Sequence, residues 1–220
     1  MTGFVNDLGA LIGALVVFNL SLTAAAVAIA LPIACLFAVA RLSRRPLVYY
    51  PVTAYVNVLR SSPLLMIMFW AYYTGPMITG TPTSAYTAAL VALAAFEVAY
   101  FTELVRAGLQ SIASGQRDAA LAVGLRPSQA MRLVILPQAL RRMLPSLISQ
   151  SIIAFQDSTI ASVIGVSDIF ATTNIISARE QRPIELYTAL AVIFFILCYA
   201  LSKLVRTIEA RVNARTAGAS

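Results

Sequence analysis

The stretch between Asp7 and Arg41 carries no charged side chain. About 20 apolar residues, each rising about 1.5 Å along a helix, cross the roughly 30 Å hydrocarbon core of a bilayer. This stretch is longer than that, and it is also longer than the apolar core of a secretory signal peptide. We therefore expect a membrane-spanning helix here, in a chain that folds in lipid.

The composition indicates a membrane protein throughout. Hydrophobic residues make up 60% of the 220 residues and charged residues only 11%, against roughly 25% charged in an ordinary soluble domain. The mean hydropathy is +0.82. So few polar side chains cannot cover a water-soluble globule, which excludes a soluble enzyme, a coiled coil and a disordered chain. The length predicts a single transmembrane domain over residues 1–220.

Four further apolar segments follow the first one. They cover residues 46–77, 84–104, 143–166 and 183–202, and the second is expected to kink near Ser61-Ser62-Pro63. Each is long enough to cross a bilayer as a helix. The sequence therefore predicts an all-α, polytopic membrane protein with five transmembrane helices.

The cations predict which helix ends face the cytoplasm, where Lys and Arg are enriched. With the N-terminus outside, only Arg179 and Arg182 fall in outer loops, and Arg60 falls within a span. The inner segments then hold the remaining thirteen Lys and Arg residues, namely Arg41, Arg44, Arg45, Arg106, Arg117, Arg126, Arg132, Arg141, Arg142, Lys203, Arg206, Arg211 and Arg215. We therefore expect the N-terminus outside and the C-terminus inside. The net charge of +7 is then explained by cations on the cytoplasmic side of the membrane, and no nucleic-acid partner is expected.

The longest inner loop covers about residues 106–142, and a short helix is expected in it over residues 116–123. Asp118 near the start of this helix suits the helix dipole, and Gly124 just beyond it suits a left-handed cap. Two consecutive alanines leave a low, flat face. Such a helix can dock in a groove of a partner protein. The alternative is an ordinary loop that packs on its own helices.

The loop sequence matches a known pattern. Asp118-Ala119-Ala120 is followed by Gly124 and, after nine residues, by Val134-Ile135-Leu136-Pro137. This resembles the EAA loop of permease subunits of ATP-binding-cassette importers, with Asp in place of Glu and Val in place of Ile. Residues 59–64, 99–116 and 155–166 resemble the polar amino-acid subgroup of these permeases. Glutamate/aspartate permeases share Phe96-Glu97 and Phe155-Gln156-Asp157 with this chain.

The resemblance implies the five-helix fold of type I importer permeases and a place in the bacterial inner membrane. It implies a complex with a second permease subunit, identical or paralogous, two ATPase subunits and an extracytoplasmic substrate-binding protein. The residues that couple to the ATPase would be Asp118, Ala119, Ala120, Gly124 and Pro137.

The chemistry of ATP is expected to lie in a partner protein. The sequence has no G-x-x-x-x-G-K-[ST] run, so it lacks a phosphate-binding loop of its own. It has no histidine, and Cys35 and Cys198 lie in apolar runs where they are expected to be small buried residues. We therefore expect no catalytic residue, no bound metal and no cofactor in this chain, and we expect that it is not an enzyme by itself.

Ionisable residues inside a bilayer cost on the order of 2.5–3.5 kcal/mol each and therefore need partners or water. Glu103 and Arg106 are three residues apart, a spacing that allows a structural pair on one helix face. Glu97 lies nine residues before Arg106, about 13 Å deeper in the bilayer. Near the midplane, Glu97 either lines a substrate cavity or makes a helix contact.

Asp157 and Arg60 are the other charges expected inside the bilayer. Pro145 and the polar run from residue 156 predict a helix break near Asp157, and a broken helix exposes backbone groups to substrate or water. Arg60 either holds a substrate carboxylate or extends to the inner surface. The candidate substrate-path residues are Arg60, Glu97, Asp157, Asn57, Ser61 and Gln150.

The residues leave the substrate open. The resemblance favours glutamate or aspartate, whereas Glu97 and Asp157 suit a cationic amino acid on electrostatic grounds, and an amide amino acid is a further alternative. A secondary transporter or channel that works without ATP is the alternative class of protein. Five spans with no visible inverted repeat and a long inner loop disfavour it.

Overall fold

Helices form every regular element in residues 2–217, the part of the chain that the computed structural model describes; side chains are described for residues 7–207 and 210. The predicted all-α class is therefore confirmed for this part. Two π-helical turns, Leu15–Leu20 and Met131–Ile135, and a 3-10 helix, Ser158–Ile164, interrupt or follow α-helices. The α-helices are α1 (Thr2–Ala14), α2 (Ser21–Arg41), α3 (Pro46–Arg60), α4 (Leu64–Thr79), α5 (Ala85–Gln110), α6 (Ser114–Ala122), α7 (Pro127–Ala130), α8 (Leu136–Asp157), α9 (Ile169–Glu180) and α10 (Pro183–Ala217).

The first predicted span is confirmed as one long helical segment, Asp7–Arg41, apolar enough to cross a membrane. Its second half packs along α5. The contact face is a stripe of fully buried alanines four residues apart: Ala26, Ala30, Ala34 and Ala38. Small residues at this spacing let two helix backbones approach closely in a membrane.

The second predicted segment consists of two helices. α3 and α4 are bent by 107° at the break between Arg60 and Leu64, where the kink near Ser61-Ser62-Pro63 was expected. Pro63 causes the break, because it has no backbone N–H and its ring keeps the preceding residue out of the helical conformation. Among the described residues, four helical segments are long and apolar enough to cross a membrane. The bent α3–α4 pair would be a fifth span if it crosses as a broken helix.

α5 is the central helix, and it packs against α2, α3, α4 and α8. One side of α5 approaches α8 so closely that Gly108 has no room for a side chain. An added Cβ there would lie 2.8 Å from the Cβ of Met143.

α8 runs unbroken through Pro145 and ends at Asp157. Pro145, one of the two features from which a break near Asp157 was predicted, does not interrupt the helix, because the backbone remains α-helical there. At the polar run the helix changes from α to 3-10 geometry at Ser158 and ends at Ile164, before Gly165 with its left-handed φ of 95°. The predicted break near Asp157 is therefore a change of helix type within one continuous segment, Pro127–Ile164.

The basic helix ends meet on one side of the molecule. An ion pair between Arg41 and Glu103 joins the last turn of α2 to α5, about two turns before the end of α5. The guanidinium of Arg142, near the start of α8, donates to the Ser111 carbonyl oxygen at 2.7 Å.

The last span, Pro183–Thr207, runs antiparallel to α8. Gln156 near the end of α8 contacts Cys198 at 3.3 Å, and Arg206 lies beside Ser149, about two turns earlier in α8. The opposite side of the molecule carries an ion pair between Asp7 and Arg179 at 3.4 Å. Both cysteines are free, but Cys35 is exposed on the surface of the chain and not buried as expected.

Candidate functional site

Glu97 is a fully buried carboxylate at the contact between α5 and α8, with none of its surface exposed. The side-chain amide of Gln150 donates toward both carboxylate oxygens, at 3.3 and 3.2 Å. Gln150 is itself 8% exposed. The structure therefore brings together two residues that the sequence analysis selected separately, and it buries both of them between helices.

Asp157 lies on the same face of α8 as Gln150. The two residues are seven positions apart, which is almost two full turns and about 10 Å along the helix. Asp157 is half-buried, and it is the last residue of α8 before the backbone changes to 3-10 geometry. Glu97, Gln150 and Asp157 thus form one acidic and amide strip at the α5–α8 contact.

Arg60 belongs to a different cluster. Its guanidinium lies 4.0 Å from Glu103 and 5.3 Å from the centre of the Tyr100 ring. The side chain is 40% exposed. Within the described part of the chain, no hydrogen bond or ion pair joins Arg60 to Glu97 or Asp157. Arg60 therefore lies against the α5 face that carries Tyr100 and Glu103, toward the C-terminal end of α5.

Glu103 is the centre of this cluster. The predicted pair with Arg106 is confirmed, and a second ion pair, with Arg41, joins α5 to α2. Sequence spacing does not predict the Arg41–Glu103 pair, because the two residues are 62 positions apart. One carboxylate therefore holds together the ends of α2 and α5 and the end of α3.

Asn57 and Ser61 flank Arg60 around the end of α3, and both are exposed on the isolated chain. The Asn57 carbonyl oxygen accepts the backbone N–H of Ser61 at 3.0 Å, which closes the last turn of the helix. The structure places both residues at the α3–α4 break, away from the recorded contacts of Glu97.

The short helix of the inner loop is observed as α6, two residues earlier than expected at its start. Gly124 lies just beyond α6 with a φ of 87°, which confirms the predicted left-handed cap. The Gly124 N–H donates to Leu121 and the Leu125 N–H donates to Ala120, at 3.0 and 3.2 Å. This pair of hydrogen bonds is the Schellman motif that ends helices at a glycine.

The two faces of α6 differ in exposure. Asp118 and Ala119 are exposed, whereas Ala120 is buried because α6 packs on the π-helical turn Met131–Ile135. Asp118 is the fifth residue of α6, so the expected effect of the helix dipole on it was wrong: that effect is confined to the first turn.

Pro137 is the second residue of α8 and directly follows the π-helical turn Met131–Ile135. Next to it, the side chain of Gln138 donates to Gln116 of α6 at 3.2 Å. The inner-loop helix is thereby attached directly to the start of α8.

A buried polar cluster that the sequence analysis missed lies at the other end of the molecule. Asn19, in the first π-helical turn, is fully buried, and Asp168 is 1% exposed. The Asn19 amide donates to the Ser158 hydroxyl at 3.0 Å and to an Asp168 carboxylate oxygen at 3.4 Å. A signal was present: an isolated amide in a long apolar run needs a partner. Burial raises the pKa of the Asp168 carboxyl.

Comparison with known proteins shows the family. The profile of binding-protein-dependent transport system inner membrane components matches residues 30–214, and the chain belongs to this family. It is 38% identical over 202 residues to the glutamate/aspartate import permease protein GltK of Escherichia coli O6:H1, covering 89% of this chain and 90% of that protein. It is 35% identical to the probable glutamine permease GlnP of Bacillus subtilis, covering 78% and 79% of the two chains.

Solved structures agree with the fold. The crystal structure of an amino acid ABC transporter with histidines matches with a TM-score of 0.88 and 34% identity, over 96% of this chain and 97% of that one. An inward-facing structure of the MetNI methionine transporter matches with a TM-score of 0.66 and 22% identity, over 90% and 94% of the two chains. The second likeness shows the fold alone.

Proposed function

We propose that this chain is the permease subunit of an ATP-driven importer of a polar amino acid. The observation that carries the proposal is the Glu97–Gln150 contact with Asp157 on the same face, buried in a member of the transport family described above. A carboxylate buried between membrane helices is costly. A path for a small polar solute is the physical reason to keep it there.

Glu97, Gln150 and Asp157 fit the ammonium end of an amino acid. Carboxylate and amide oxygens accept hydrogen bonds from an ammonium group, and a carboxylate partner strengthens such bonds. The depth of Glu97, about 13 Å from Arg106 along α5, is near the middle of a bilayer, where transporters place substrates. Asn57, Ser61 and Arg60 would line the path at the α3–α4 break.

Glutamate or aspartate is the first candidate substrate. The support is the 38% identity with a glutamate/aspartate permease over about nine-tenths of both chains. In this proposal Arg60 binds a substrate carboxylate with its guanidinium, which is suited to a two-pronged contact. Arg60 would have to exchange its 4.0 Å contact with Glu103 for the substrate.

A basic or amide amino acid is the second candidate, and one observation favours it. The described contacts of Glu97 and Asp157 include no cation, whereas Arg60 already lies beside Glu103. A cationic side chain would therefore meet two acidic groups and no repelling charge. The glutamine permeases among the relatives and the transporter with histidines fit this candidate as well.

Energy would come from two ATPase subunits bound to the inner loop. The exposed Asp118–Ala119 side of α6 would be the docking surface, and α6 would pass its movement to α8 through the Gln116–Gln138 contact at 3.2 Å. A second permease subunit and an extracytoplasmic binding protein would complete the complex. ATP would be bound by the ATPases and no cofactor by this chain.

The proposed orientation has the N-terminus outside and the C-terminus inside the bacterial inner membrane, with five spans. Its support is the gathering of Arg41, Arg106, Arg142 and Arg206 at one side of the molecule. Cations belong on the cytoplasmic side, and the α3–α4 pair would be a broken span.

The experiment is uptake into proteoliposomes that contain this chain with its ATPase, supplied with the cognate binding protein. Labelled glutamate, aspartate, glutamine and arginine are compared with and without internal ATP. We expect ATP-dependent uptake of glutamate or aspartate. Uptake of arginine or glutamine alone would select the second candidate. Uptake that needs no ATP, by a chain that does not co-purify with an ATPase, would reject the importer in favour of a secondary transporter.

A further inference from the structure

The polar cluster around Asn19 joins three separate parts of the chain. Its side-chain amide donates to Ser158 in the 3-10 helix and to Asp168 in front of α9. Its side-chain carbonyl oxygen accepts the backbone N–H of Ile169 at 3.1 Å. Asn19 therefore uses both ends of one side chain to hold the first span against the segment that follows α8.

Every polar group recorded in this cluster has a partner. The Ser158 hydroxyl donates to the Phe155 carbonyl oxygen at 2.7 Å, and the second Asp168 oxygen accepts the Ala171 N–H at 2.8 Å, which caps α9. A fully satisfied buried network is rigid, and it selects one arrangement of the helices that it joins.

The backbone at Asn19 is shaped for this contact. The residue lies in the π-helical turn Leu15–Leu20, and such wide turns in α-helices are frequent at functional sites. The hydroxyl of Thr23 donates to the backbone carbonyl oxygen of Asn19 at 2.8 Å. This buried backbone acceptor is therefore paired although the helix is irregular here. The irregular turn is therefore located at Asn19, the residue that donates to Ser158.

Ser158 directly follows Asp157, the last residue of α8. The hydrogen bond from Asn19 to Ser158 at 3.0 Å therefore fixes the residue next to Asp157 against the first span. We propose that Asn19 is a positioning residue for substrate recognition, holding Ser158 so that the Asp157 carboxylate faces the transported amino acid. This inference rests on the proposed function.

The test measures direct binding of labelled glutamate, aspartate, glutamine and arginine to the purified permease–ATPase complex without binding protein. The variants are Asn19→Ala and Ser158→Ala; the second removes only one contact of Asn19 and is the milder change for folding. Thr173→Val is the matched control. Thr173 is fully buried, and among the described residues its hydroxyl donates within its own helix, to the Ile169 carbonyl oxygen at 2.7 Å.

We expect Asn19→Ala to weaken binding about tenfold, the effect of one lost buried hydrogen bond, and both variants to change the ratio of affinities between acidic and cationic probes. A group that orients a substrate contact alters this ratio, whereas a purely structural loss does not. The control should lower the melting temperature at most and keep the ratio.

An unchanged ratio in both variants, whatever their melting temperature, would overturn the positioning role and leave the proposed function standing. A wild-type complex that binds none of the four probes and takes none of them up would instead overturn the proposed function, and the inference with it.

Discussion

Arg41, the last residue of α2, forms an ion pair with Glu103 of α5, and the two side chains are 11% and 23% exposed. Glu103 also pairs with Arg106 on its own helix and lies 4.0 Å from Arg60. A single carboxylate thus neutralises part of the charge of a cationic cluster where three helices end. Without this carboxylate the neighbouring arginines would repel one another.

Glu103→Gln is expected to lower the stability of the chain by about 2 kcal/mol. The value lies between the small effect of breaking a surface pair and the 3–5 kcal/mol of breaking a buried one. Thermal unfolding of the purified complex measures it. Glu185→Gln is the control, since Glu185 is 56% exposed in its pair with Arg182. Equal melting temperatures for the two variants would contradict the role of Glu103.

Gly108→Ala is expected to destabilise the α5–α8 contact by about 1–3 kcal/mol, as overpacked cores do. The new Cβ would lie 2.8 Å from the Cβ of Met143, so one helix must shift. Gly115→Ala adds the same group to α6 where nothing lies within 4 Å, and this control should be neutral or slightly stabilising. Complex yield and melting temperature are the measurements.

Gly124→Ala is expected to loosen the end of α6 by about 1 kcal/mol, because a φ of 87° is costly for a residue with a Cβ. Space is not the cause, since an added Cβ meets nothing within 4 Å. Proteolysis of the inner loop and ATP-driven uptake are compared with the wild type. Unchanged loop protection would show that the left-handed cap contributes little.

Ala119→Arg and Ala120→Arg separate docking from folding. Ala119 is exposed, whereas Ala120 is buried where α6 packs on the π-helical turn Met131–Ile135. We expect Ala119→Arg to keep the melting temperature of the isolated permease but to lose the co-purifying ATPase. Ala120→Arg should lower the melting temperature itself, because it buries a charge. An Ala119→Arg variant with full ATPase binding and uptake would reject α6 as the docking surface.

Glu97→Gln and Arg60→Met test the substrate path. Glu97→Gln keeps the shape of the side chain and its contact with Gln150, and Arg60→Met keeps much of the aliphatic stem. We expect both variants to assemble and to hydrolyse ATP at the basal rate while amino-acid uptake falls at least tenfold, the effect of a lost charged hydrogen bond. Loss of assembly in Arg60→Met would make Arg60 structural, through its contacts with Glu103 and Tyr100.

The periodic and compositional features of the sequence were sufficient to establish the membrane class, the all-α architecture and the place of most helices. Charge-free runs, Pro63 and Gly124 act locally: an apolar segment must form internal hydrogen bonds in lipid, proline breaks a helix, and glycine accepts a left-handed cap. The Glu103–Arg106 pair was predictable for the same reason, since both residues lie on one helix.

Contacts between residues distant in sequence were decided only by the tertiary structure. The Arg41–Glu103 pair, the Glu97–Gln150 contact and the bonds of Asn19 to Ser158 and Asp168 each join separate helices, and no local spacing encodes them. Helix packing also decided that Ala120 faces inward while Ala119 faces out. Side-chain identity specifies what a residue can bind, whereas the packing of helices specifies which partner it reaches.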